Sequence, residues 1–89
     1  MTTLPPPRLA VVTPQQRAVI GELARDGADN PTIGLRLGIS EHTVKTHLKA
    51  ALKATGADNR THLVCLLLRG HVRLRVAKRP TDLQEDQAA

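Results

Sequence analysis

The chain has 89 residues, with no Trp, Tyr or Phe and a formal charge of +5. That length predicts one domain with a small core, for which a partner subunit would be an advantage. The missing aromatics exclude base stacking, the usual device of single-strand and RNA binders. All 13 Lys and Arg lie between Arg8 and Arg79 against five acids there, Glu22, Asp26, Asp29, Glu41 and Asp58, whereas Asp82, Glu85 and Asp86 mark an acidic end. A basic body of this kind suits a polyanionic partner.

Residues 1–11 contain Pro5, Pro6 and Pro7 and read as a flexible, extended arm, because proline lacks an N–H and disfavours helix in the residue before it. Arg8 is assigned to this frayed arm, with phosphate contact as the lesser alternative. No signal peptide is visible here and no apolar run reaches membrane length, so a cytoplasmic protein that meets no membrane is expected. The first helix is predicted from Thr13 to Gly27. Thr13 and Gln16 form a capping box, Pro14 sits at the first helical position, and Val19, Ile20, Leu23 and Ala24 make the buried stripe. Arg17, Glu22 and Arg25 are expected to face water. A second, short helix follows with Asn30 as N-cap, Pro31 at N1, and Ile33 and Leu37 inward, closed by Gly38. Gly34 costs this helix about 1 kcal/mol against Ala, which a close crossing with the next helix would explain.

The third helix, SEHTVKTHLKAALKAT over residues 40–55, carries two opposed faces. Val44, Leu48, Ala51 and Thr55 share one side at helical spacing, and such a stripe is normally buried. Lys45, Lys49 and Lys53 share the other, beside His42 and Thr46. Ser40 is the expected N-cap and Gly56 the left-handed stop. Two helices joined by a brief Gly38–Ile39 turn are laid out as a helix-turn-helix, whose second helix enters the DNA major groove.

Arg60 to Arg69, RTHLVCLLLR, predicts a fourth helix that is apolar on nearly every side. Leu63, Leu66 and Leu67 are expected inward. Val64, Cys65 and Leu68 are then left over as a candidate dimer surface. Cys65 is the lone cysteine, which excludes an intrachain disulfide and a cysteine zinc site. Residues 70–76, GHVRLRV, alternate in polarity and fit either a short edge strand or an irregular extension. Residues 77–89 read as a flexible acidic tail.

The segment TVKTHLKAALKATGADNR resembles the LuxR-type (GerE-like) DNA-binding domain. The residues that carry the likeness are Thr13, Asn30, Ile33, Leu37, Gly38, Ile39, Ser40, Thr43, Val44, Lys45, His47, Leu48, Gly56, Asn59 and Arg60. The likeness spans roughly residues 12–72. Gln16, Pro31, Thr32 and Gly34 depart from the family's usual acid, Lys, Glu and Ala. The resemblance implies an all-α, four-helix domain over residues 12–76, with a three-helix core and a C-terminal helix through which two copies pair.

No glycine-rich phosphate loop, GxSxG or HExxH is present, and His42 and His47 point in different directions, so neither an enzyme nor a metal or cofactor site is expected. The expected function is transcriptional regulation by sequence-specific binding of double-stranded DNA. Lys45, Thr46 and Lys49 are the candidates for base edges, since Lys suits the guanine acceptors and the Thr methyl suits thymine. Asn30, Ser40, His42, Thr43, His47 and Lys53 are the candidates for the phosphate backbone, with His47 alternatively packed at the border of the buried face. The resemblance implies the same division. The chain carries no receiver or ligand-binding segment, so control is expected from abundance, a protein heteropartner or the tails. The alternative function is an interaction module that pairs with a larger LuxR-type regulator.

Overall fold

The computed structural model describes residues 7–78. Its elements run β1 (Arg8–Val12), α1 (Pro14–Asp26), α2 (Asn30–Leu37), α3 (Glu41–Thr55), α4 (Arg60–Leu68) and β2 (Val72–Val76). The fold is a four-helix helix-turn-helix domain to which a small strand pair has been added.

The helix boundaries follow from local chemistry. Thr13 and Gln16 cap α1 reciprocally: the Thr13 hydroxyl accepts from the Gln16 N–H, and the Gln16 side chain accepts from the Thr13 N–H, both at 3.1 Å. Gly27, Gly38 and Gly56 end α1, α2 and α3 in the left-handed region, with φ of 68°, 70° and 75°. One cap differs from expectation. The N-cap of α2 is Asp29, whose carboxylate accepts from the Thr32 N–H at 2.9 Å, and Asn30 is already helical. Both residues are good N-caps, and the choice falls to the one three residues before a free N–H.

Ile20, Ile33, Leu63, Val12, Val19, Val44 and Thr55 are the largest side chains wholly withdrawn from solvent. They draw on β1 and all four helices, so the core is shared rather than confined to three helices. Thr55 is tolerated there because its hydroxyl donates to the Ala51 carbonyl at 2.9 Å. Gly34 is buried in α2 where a Cβ would stand 2.7 Å from the Ile39 carbonyl oxygen. The close approach is therefore made to the backbone of the turn that leads into α3.

The two ends of the described chain depart from expectation. Residues 8–11, expected as part of a free arm, belong to β1, and β1 pairs in parallel with β2, Arg8 opposite Val72 through Val12 opposite Val76. Of the two forms open to residues 70–76, strand is the one taken. The order extends one residue into the expected tail: Ala77 is buried and its N–H donates to the Val12 carbonyl at 2.8 Å. The pairing satisfies backbone groups that a loose arm would leave to water. It also places Val12 in the core, with Leu74 packed against it. Residues 1–6 and 79–89, which hold the rest of the expected arm and acidic tail, lie outside the described residues.

Candidate nucleic-acid interface

The two faces of α3 are separated in space as they are in sequence. Val44, Leu48, Ala51 and Thr55 are buried. Lys45, Lys49, Lys53, His42 and Thr46 are all exposed on the other side. Lys49 and Lys53 have no ion pair or hydrogen bond among the described residues, so their charges are open to an anion. Lys45 stands 3.8 Å from Glu41 one turn back, with both side chains well exposed. Such a surface pair contributes at most about 1 kcal/mol, which a phosphate or base edge readily replaces.

The hydroxyls near the start of α3 are engaged locally. Ser40 accepts from the Thr43 N–H at 3.1 Å, and the two hydroxyls share a 2.8 Å hydrogen bond. The Thr46 hydroxyl donates to the His42 carbonyl at 3.1 Å. His47 is half-buried at the border of the packed face. Asn30 is also half-buried, and its side-chain oxygen accepts from the Arg60 guanidinium at 2.9 Å. It is the first residue of α2. The geometry thus gathers His42, Lys45, Thr46, Lys49 and Lys53 on one surface, with Ser40 and Thr43 at its N-terminal end.

The scaffold under this surface is braced by polar contacts that sequence reading missed. Arg36 on α2 grips Asp26 on α1 through both guanidinium nitrogens, at 3.1 and 2.9 Å, and reaches Glu22 at 3.2 Å. Glu22, expected to face water, is therefore paired. These bonds hold the Asp26 carboxyl below the usual carboxylate range, chiefly through the Arg36 hydrogen bonds, and they raise Arg36 in turn. The pairing spans two helices and leaves no periodic signal in the sequence. Arg60, at the start of α4, donates to the Ala28 carbonyl at 2.6 Å as well as to Asn30.

On α4, Leu63 is buried, and Val64 and Leu67 pack partly buried against the core. Leu66 is half-buried, and Cys65 is exposed. Leu68 is 76% exposed. The outward apolar strip is thus narrower than the sequence suggested, because Val64 turns partly inward.

Comparison with known proteins bears on this surface. Residues 10–67 match the family described as bacterial regulatory proteins, luxR family. A monoamine regulon transcriptional regulator from Klebsiella aerogenes is 44% identical over 55 residues. That stretch is 62% of this chain and 24% of the relative, so the chain spans about a quarter of the regulator it matches. No helix among the described residues is long and apolar enough to cross a membrane.

Proposed function

Because the chain belongs to the luxR family of bacterial regulatory proteins, we propose that it regulates transcription by binding specific double-stranded DNA as a homodimer, with α3 in the major groove. The observation that carries this reading is the partition of α3. A helix buried along Val44, Leu48 and Ala51 presents Lys45, Lys49 and Lys53 outward, with two of the three lysines unpaired among the described residues. Lys45, Thr46 and Lys49 take base edges, where an ammonium matches the paired acceptors of guanine. Ser40, His42, Thr43 and Lys53 take phosphates and fix the register. Asn30 and His47 are the remaining phosphate candidates, both half-buried, with the Asn30 side chain engaged by Arg60.

Pairing of two copies uses Cys65 and Leu68 at its centre and Val64 at its margin. A protein heteropartner on the same strip is the competing reading, in which the chain pairs with a larger regulator.

Two substitutions test the assignment, measured on a duplex selected from a random pool and on an unrelated duplex. Lys49→Ala should cost about 1–3 kcal/mol on the selected duplex and relax its preference at one position. Lys53→Ala should weaken both duplexes alike and flatten the dependence on salt. Equal losses for Lys49→Ala on both duplexes would remove it from base reading. A wild-type chain that binds neither duplex would move the function to the protein–protein alternative.

A further inference from the structure

Outside the lysine face, the arginine that opens β1 is the cation with the most informative surroundings. Its backbone is fixed: the Arg8 N–H donates to the His71 carbonyl at 2.9 Å, and Arg8 stands opposite Val72 in the parallel ladder. Its guanidinium lies over Gly56, the residue that ends α3. A Cβ at Gly56 would fall 2.5 Å from one guanidinium nitrogen of Arg8. Gly56 is favoured by its φ of 75°, and its bare Cα leaves room for the Arg8 side chain to lie across it.

The location matters because of what precedes it on α3. At about 100° per residue, Lys45, Lys49 and Lys53 fall on one side of α3, and Gly56 is the left-handed residue that directly follows its last turn. The Arg8 guanidinium is therefore delivered to the C-terminal end of α3, against a residue three positions past Lys53. Arg8 is exposed and makes no side-chain hydrogen bond or ion pair among the described residues. Lys49, Lys53 and Arg8 add three cations without an ion pair among the described residues to the C-terminal half of α3 and its end, and a polyanion relieves their mutual repulsion. A guanidinium also offers a planar fork that fits phosphate oxygens in pairs.

We propose that Arg8 is a further DNA-phosphate contact, carried to the C-terminal end of α3 by the β1–β2 pair. Both Arg8 and β2 lie outside the family segment of residues 10–67, so the strand pair lengthens the DNA footprint beyond what that segment provides. The proposal rests on the DNA-binding reading above. Its rival is a structural role, in which the cation merely complements the carbonyl end of α3.

The two roles separate in one set of titrations of the full chain. Binding to the selected and the unrelated duplex is measured across a salt series for wild type, Arg8→Gln, Arg8→Lys and Lys49→Ala, with a thermal melt of each. Arg8→Gln keeps the stem and removes the charge. It should weaken both duplexes alike, roughly threefold to tenfold, and reduce the slope of log affinity against log salt by about 1, with its melting temperature unchanged. Arg8→Lys should restore most of the slope. An Arg8→Gln chain that binds both duplexes like wild type, while Lys49→Ala loses the selected one, overturns the Arg8 contact and leaves the DNA reading standing. A lowered melting temperature with an unchanged slope assigns Arg8 to the structural role instead. Failure of the wild type on both duplexes removes the DNA reading and this contact together.

Discussion

Arg60 donates to the side-chain oxygen of Asn30 at 2.9 Å, across 30 residues of sequence. The same guanidinium takes the Ala28 carbonyl at 2.6 Å, so the start of α4 is locked to the α1–α2 connection. That lock matters to the lysine face at one remove, since α2 sets the turn from which α3 departs. A partly buried hydrogen bond to a charged group contributes about 1.5–3 kcal/mol, more than a neutral one. Arg60→Ala should therefore lower stability by about 2 kcal/mol, because two acceptors lose their donor at once. Chemical denaturation read by circular dichroism checks this. A midpoint equal to that of the wild type would show the lock to be dispensable.

Acid should loosen the α1–α2 brace before it touches the core. Asp26 is held below the usual carboxylate range mainly by hydrogen bonding to Arg36. Asp29 is held low mainly by hydrogen bonding to Thr32 at the cap of α2. A carboxyl with a lower pKa in the folded state favours folding above its unfolded pKa and loses that contribution as pH falls through the folded value. Both effects therefore fade below the ordinary Asp range, and stability near neutral pH is flat with respect to them. Carboxyl NMR titration of Arg36→Met separates the two causes. Asp26 should return toward the ordinary range, while Asp29 should stay low. A parallel rise of both would mean that the cap depends on the brace.

What could be read from the sequence divides by the range of the interaction. The capping box at Thr13 and Gln16, the glycine stops at 27, 38 and 56, and the buried stripe of α3 depend on residues within a turn or so of one another, and periodicity records them. The N-cap of α2 shifted by one position because Asp29 and Asn30 offer the same chemistry beside the same proline. The strand pair was not legible in full. Its two halves stand at opposite ends of the described chain, and nothing local tells Arg8–Val12 that Val72–Val76 will lie beside it. The parallel partner turns an apparent arm into a strand and aims Arg8 at α3. Arg36 eluded the reading for the same reason, since its partners sit 10 and 14 residues away on another helix.

On the proposed pairing, the fourth helix sets what kind of DNA the chain should prefer. One small domain covers Leu63 fully and Val64 and Leu67 in part, but it leaves Leu68 76% exposed beside an exposed Cys65. An apolar strip of this sort at the end of a helix is suited to a second copy, and in a two-fold dimer the same strip meets itself. Two α3 helices then enter successive major grooves, so the preferred DNA should be an inverted repeat with half-sites about 10 bp apart. One copy makes few contacts, so pairing and DNA binding should strengthen one another. Leu68→Glu puts a charge on the strip while leaving the lysine face and the core intact. It should yield a chain with the wild-type melting temperature that sediments as a monomer and binds the inverted repeat far more weakly. Its binding to a single half-site should match that of the wild type. Sedimentation of the wild type at micromolar concentration, with and without the repeat, is the direct measurement. A monomer under both conditions would remove the dimer and the inverted repeat together.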